Sequence, residues 1–178
     1  MAVPDEIVTA AARGDRHAFA TLVEIESMTA YRVAYGVLGS HAEAEDAVQD
    51  AFIRAWRDLP TLREPARWSA WFRRLVVRSA IDRARRARRQ TTVRLDPAVE
   101  GAFDPPGPDA LGPVEASDEL LRALAGLSVD DRAMIALRFG ADLEVSDVAA
   151  ALGIPLGTAK SRLSRAVARL RDRMESDR

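Results

Sequence analysis

Residues 152–170 read LGIPLGTAKSRLSRAVARL. Gly153 breaks the preceding helical pattern, and from about residue 156 apolar side chains recur at spacings of three and four: Ala159, Leu163, Ala166, Val167 and Leu170. That period is helical, so these residues share one face and are expected to pack on Val148, Ala149 and Leu152 of a short helix upstream. Two short helices joined by a tight, glycine-containing turn form the helix-turn-helix pattern, whose second helix can enter a DNA major groove. Burying that face fixes what the other one shows, namely Thr158, Ser161, Arg162 and Arg165, with Lys160 and Arg169 at its flanks. Arginine can donate two parallel hydrogen bonds to a guanine edge or a phosphate, whereas lysine and hydroxyls more often grip phosphates. The caps are weaker than such a motif favours, because Pro155 and Glu144 stand where Ser or Thr would be expected, at about 1 kcal/mol per lost cap.

Outward from this motif, the second half reads as four helices over about 114–126, 129–139, 144–152 and 156–174, with Ser128 and Asp131 in capping register before the second. Upstream lies LDPAVEGAFDPPGPDALGPVEAS, which holds five prolines and three glycines. Missing amide donors and added chain entropy disfavour regular structure there, so a linker is expected over 91–113, between a domain at 1–90 and another at 114–178. Domains this small bury modest cores, and each is expected to be marginal alone.

The first half also reads as four helices. Pro4 suits the first turn of one that ends near Gly14, and Asp15 caps a second that ends near Gly39. Ser40 and Glu43 have the spacing of a capping box for a third, whose stripe is Ala44, Ala47, Val48, Ala51, Ala55 and Leu59. A fourth begins after Pro65 and runs through Trp68, Trp71, Leu75, Val76 and Ile81 into an arginine run. Alternating apolar and polar segments of useful length do not occur, so the expected fold class is all-α, two small helical domains on either side of an acidic Pro/Gly-rich linker.

The formal net charge of −1 conceals blocks of opposite sign. Residues 1–64 carry eleven acids and six bases, residues 65–94 ten arginines and one acid, and residues 95–119 seven acids and no base. Such a dipolar layout suits one face for a polyanion and another for a basic or mixed protein surface. No apolar run reaches the roughly 18 residues of a membrane span, and the first residues lack the order of a secretory signal, so a cytoplasmic location without membrane insertion is expected. With no cysteine and only His17 and His41, far apart, neither thiol catalysis nor a metal site is expected, and no cofactor. The acidic third helix, EAEDAVQDAFIRAW, turns Asp46, Gln49, Asp50, Ile53 and Arg57 outward once its stripe is buried, with Phe52 and Trp56 close by. Carboxylates and an amide beside aromatic anchors describe a protein-docking surface.

The order AEDAVQDAFIRAW, WFRRLVVRSAIDRARR, an acidic linker, LSVDDRAMIALRF and DVAAALGIPLGTAKSRLSRA resembles bacterial RNA polymerase sigma factors of the extracytoplasmic-function group. The resemblance covers nearly the whole chain. It implies that Asp46, Gln49, Asp50, Phe52 and Trp56 contact the clamp helices of the largest subunit of core RNA polymerase. It also implies that the helix matching 71–86 faces the −10 promoter element, with residues 59–67 helping to capture a flipped base. Arg73, Arg74, Arg78, Arg83, Arg85 and Arg86 are then candidate DNA contacts on a melted strand, which needs a cationic groove and a base pocket. Trp71 falls at a position that is largely core in the family, and Arg78 stands where many relatives carry Asn. Thr158, Lys160, Ser161, Arg162 and Arg165 are assigned to promoter DNA at the −35 element. The acidic linker is assigned to polymerase channels, a plain tether being the alternative. An anti-sigma factor that covers both domains is a further partner the resemblance allows. The competing reading is a stand-alone helix-turn-helix regulator with an N-terminal sensing or dimerisation domain. An enzyme would need nucleophile or metal geometry that the sequence does not offer.

Overall fold

The computed structural model describes residues 3–94 and 118–176, all of whose regular structure is helical. The first half contains α1 (Asp5–Ala12), α2 (Arg16–Leu38), α3 (His41–Asp58), two 3-10 turns (Leu59–Thr61 and Pro65–Arg67) and α4 (Trp68–Arg94). The second contains α5 (Asp118–Ala125), α6 (Val129–Ile135), a wide π-type turn (Ala136–Gly140), α7 (Val145–Leu152) and α8 (Leu156–Ser176). α4 thus takes in the first four residues of the expected linker, 91–94. The remainder of the expected linker lies outside the described residues.

The helix punctuation follows local chemistry. The Asp15 carboxylate accepts from the amides of His17 (2.8 Å) and Ala18 (3.1 Å), taking up two donors that have no partner inside α2. α2 stops at Gly39, whose φ of 71° is left-handed and costs glycine nothing. Gly153 ends α7 the same way at φ 67°, and Ser128 Oγ accepts from Asp131 N (3.2 Å) at the start of α6. Glu144 makes no side-chain cap, in line with its residue type. The capping box expected at Ser40 and Glu43 is not formed, since Ser40 makes no side-chain cap bond. Competition accounts for the Glu43 half of the box: its carboxylate is taken by Arg83 of α4 at 3.2 Å, away from its own helix terminus.

α2 is the central rod of the core. Leu22, Ala30, Val33, Ala34 and Val37 are inaccessible to solvent, and α1, α3 and α4 pack around them. Tyr31 is equally buried and shares a hydrogen bond with His41 Nδ1 at 2.5 Å. Burial, with Tyr35 and Glu45 adding to it, pushes its phenol up to about 12.

Six aromatic rings form a connected ladder through this half. Trp71 touches Trp68 (5.6 Å between centroids), Trp68 stacks on Phe72 (5.2 Å) and Phe72 on Phe52 (4.5 Å). Phe19 meets both Phe52 (6.4 Å) and Trp56 (4.9 Å) edge-on. Edge-to-face and offset contacts of this kind suit the ring quadrupoles and add to the burial they accompany.

The two halves do not stand apart. Val33, Ala133, Met134, Ala136, Leu137 and Val148 belong to one continuous buried cluster, in which α2 and α4 of the first half meet α6, the π-type turn and α7 of the second. The approach is close at Gly36, where an added Cβ would lie 3.4 Å from Ala136 Cβ. Arg73 Nη1 donates to the Ala141 carbonyl at 2.6 Å across the same seam. A smaller cluster of Leu124, Leu127, Ile135 and Ala166 holds α5 and α6 on α8. Two halves too small to bury much alone therefore share apolar surface.

Ser79 is one of the few buried polar residues, 2% exposed, and its Oγ has no hydrogen-bond partner. Ser79→Ala is expected to raise stability by about 1 kcal/mol, combining relief of that hydroxyl with the higher helix propensity of alanine. Urea unfolding measures it; a lower midpoint would show that the hydroxyl finds a partner in solution.

Candidate docking and nucleic-acid interfaces

α3 presents its acidic side as the periodicity dictates. Ala44, Ala47, Val48, Ala51 and Ala55 are buried, while Asp46 and Gln49 are exposed and Asp50 is half-exposed. Ile53 and Trp56 remain 61% and 39% exposed, unusual for side chains of that size. Phe52 is half-buried in the ring ladder, so it braces this surface more than it projects from it. Ile53 and Trp56 instead border a shallow apolar groove of about 600 Å3, closed on its far side by Phe19, Val23 and Ser27 of α2. The α2 wall was missed in the sequence, although Phe19 and Val23 sit one helical turn apart. Their partners across the groove cannot be read from spacing along one helix.

The six arginines assigned to the −10 element divide by environment. Arg78, Arg85 and Arg86 are exposed, and Arg74 is half-buried. Arg73 is 20% exposed and lies between the Ala141 carbonyl and Glu26, whose Oε2 is 3.6 Å from Arg73 Nε. Glu26 is 3% exposed and accepts from Ser69 Oγ at 2.5 Å. An acid on the apolar stripe of α2, in register with Leu22 and Ala30, was the available signal for this buried pair. Arg83 turns to α3, with Nη2 at 3.0 Å from Asp46 and 3.5 Å from Asp50. Trp71 is half-buried against Trp68 and is not a free stacking platform. Residues 59–67 hold two 3-10 turns, with Leu59 buried and Arg63, Glu64 and Arg67 exposed.

In the helix-turn-helix, Ala159 and Ala166 are fully buried, and Leu163, Val167 and Leu170 are half-buried. α8 rests on α7 and α6 along this face. Lys160, Ser161, Arg162 and Arg165 are exposed, and Thr158 is partly so. Arg169 is engaged by Asp131 at 2.7 Å, which leaves it less available to a ligand than its neighbours. The fold brings Arg78 and Arg85 of α4 together with Arg162 and Arg165 of α8, around a cleft of about 520 Å3 between the halves. Asp130 lies in its wall, 3.4 Å from Arg85.

An acidic docking helix, an arginine-lined helix and a basic helix-turn-helix thus occur in this order on one chain. Residues 22–90 match the family model for Sigma-70 region 2, and residues 117–170 match that for Sigma-70, region 4. Over 165 residues the chain is 34% identical to the ECF RNA polymerase sigma factor SigM of Mycobacterium tuberculosis, covering 93% of this chain and 81% of that protein.

The chain belongs to the extracytoplasmic-function group of sigma factors.

The sigma factor is also 31% identical over 173 residues to SigW of Bacillus subtilis, covering 91% of each. Its fold is similar to that of the sigma factor RpoE of Bartonella quintana, solved with the anti-sigma factor NepR, at a TM-score of 0.73 and 26% identity over 90% of this chain and 98% of that one. It is similar as well to CnrH, solved with the cytosolic domain of CnrY, at a TM-score of 0.70 and 24% identity over 98% of both chains. As a sigma factor the protein directs RNA polymerase to promoters and is an initiation factor, not an enzyme. Among the described residues no helix is long and apolar enough to cross a membrane.

Proposed function

We propose that this sigma factor docks on the clamp helices of the largest polymerase subunit through α3, and that Asp46, Gln49, Asp50 and Trp56 make the contact. The observation that carries the reading is the pairing of that acidic edge with the apolar groove between Ile53, Trp56 and α2. An apolar anchor beside three carboxylates that share a single arginine suits a partner helix that brings both basic and apolar side chains. The groove adds Phe19, Val23 and Ile53 to the candidate set, with Phe52 as its support.

In this reading residues 1–90 dock and melt, and residues 114–178 read the −35 element through Thr158, Lys160, Ser161, Arg162 and Arg165. Arg74, Arg78, Arg83, Arg85 and Arg86 serve the melted −10 strand. Elements about 25 base pairs apart lie roughly 85 Å apart at 3.4 Å per step. The arginines of both sets border one cleft in the free chain, so reading both elements requires the halves to separate. Polymerase is the rigid body that can hold them apart. An anti-sigma factor is a further proposed partner, by analogy with the complexes formed by RpoE and CnrH.

The test is binding of the fluorescently labelled chain to purified core RNA polymerase. Asp50→Arg is expected to weaken binding by about thirtyfold, roughly 2 kcal/mol, with helix content unchanged. Arg162→Ala is expected to leave that affinity intact and to weaken holoenzyme binding to −35 duplex by about 1 to 2 kcal/mol. Equal loss of polymerase binding in both variants would contradict the division of labour. A folded wild-type chain that does not bind core polymerase would refute the docking assignment.

A further inference from the structure

Glu43, Asp46 and Asp50 stand at i, i+3 and i+7 on α3 and form one carboxylate stripe along its edge. A single guanidinium from another helix meets all three. Arg83 Nη1 lies 3.2 Å from Glu43 Oε2, and Nη2 lies 3.0 Å from Asp46 Oδ2 and 3.5 Å from Asp50 Oδ2. The Arg83 side chain is only 21% exposed, while the three carboxylates are about half exposed. Its Nε is buried without a hydrogen bond, so the fork is held by charge at its tip and is not locked along its length.

Two of these acids, Asp46 and Asp50, belong to the proposed docking face, and Arg83 itself was assigned to DNA. We infer that Arg83 is a positioning residue that occupies the docking acids in the free protein and is released to the promoter strand when polymerase takes its place. The inference rests on the docking assignment above. A cation of the partner that pairs with Asp46 or Asp50 approaches the Arg83 guanidinium, and like charges there repel. Arg83 then leaves the stripe, and on α4 its nearest cationic companion one turn on is the exposed Arg86. A phosphate of the melted strand offers the two oxygens that the carboxylates supplied before.

Linkage makes the effect reciprocal. If docking frees Arg83 for the strand, strand binding that draws Arg83 away clears the acids and tightens docking by the same factor. Arg83 couples the two events without contacting polymerase.

The experiment uses the full-length chain, core polymerase and a single-stranded oligonucleotide carrying the non-template −10 sequence. Arg83→Gln removes the charge, and Arg83→Met does so while keeping the apolar stem. Both are expected to bind core polymerase about two- to fivefold more tightly, the scale of a lost exposed ion pair. The holoenzyme they form is expected to bind the oligonucleotide about three- to tenfold more weakly, and Arg83→Lys to restore both values most of the way. Core binding that is unchanged or weaker in both charge-free variants overturns the inference and makes Arg83 a brace for the acids. Asp50→Arg, measured alongside, separates the failures. If it binds polymerase like the wild type, the docking assignment falls and the coupling with it; if it loses binding while Arg83→Gln gains none, only the coupling falls.

Discussion

Trp68→Ala is expected to lower stability by about 4 kcal/mol, the range measured for large aromatic side chains removed from well-packed cores. Trp68 is 1% exposed at the first position of α4, and its ring lies nearly parallel to that of Phe72, at 6°. Truncation removes the joint that connects Trp71 to the rest of the ring ladder, and the rigid helix start gives little room for collapse into the void. The indole N–H is itself buried without a partner. Trp68→Phe keeps a ring and deletes that unsatisfied donor, so its cost is expected to be about 1 to 2 kcal/mol. Urea unfolding followed by far-ultraviolet circular dichroism compares the two. Equal losses would mean that the retained ring volume contributes nothing and that the indole, its N–H satisfied in solution, carries the whole effect.

Glu26→Ala is expected to cost about 2 to 3 kcal/mol, and Arg73→Ala a similar amount. Breaking a buried pair leaves the surviving charge without compensation, and the figure is set below that of a fully buried pair because Arg73 retains partial access to water. The double change Glu26→Leu with Arg73→Leu is expected to recover most of the loss, since neither charge then remains to be neutralised. A double-mutant cycle built from Glu26→Leu, Arg73→Leu and the double change measures the coupling. The same pair reaches the second half through the Ala141 carbonyl, so Arg73→Ala is also expected to loosen the seam, seen as faster amide hydrogen exchange in α7. Simple additivity of the two single changes would show that the pair is not a unit.

Much of the helical framework was legible in the sequence, because single residues decide where helices start and stop. Asp15, Gly39, Ser128 and Gly153 each act through their own side chain or φ angle, and neighbours within four residues suffice to recognise them. The Glu43 half of the capping box at Ser40 failed for the converse reason. Glu43 is drawn to Arg83, forty positions away, and a long-range charge defeats a local motif. The five-residue turn at Ala136–Gly140 was read as the end of an ordinary helix. It is closed by backbone bonds of wider reach, Ala141 N to the Ala136 carbonyl at 2.9 Å and Leu143 N to that of Leu137 at 3.1 Å, which leave no mark in the apolar spacing. The outer faces of α3 and α8 followed from periodicity, because burying one stripe exposes its complement. What escaped were relations between elements: the groove wall on α2, the Glu26–Arg73–Ala141 chain and the meeting of Gly36 with Ala136. Helix period gives the direction of a side chain, not the identity of what stands opposite.

The aromatic ladder also determines how this protein can be watched. All three tryptophans and both tyrosines lie between residues 31 and 71, and the second half has neither type. Intrinsic fluorescence is therefore a signal from the first half alone, and Trp56, half in water at the rim of the groove, is the emitter best placed to change colour when a partner covers it. The second half is optically dark, but the sequence contains no cysteine, so one thiol introduced there would be a unique attachment point for a dye. Energy transfer from the native tryptophans to that dye would follow the separation of the halves with no other alteration to the chain.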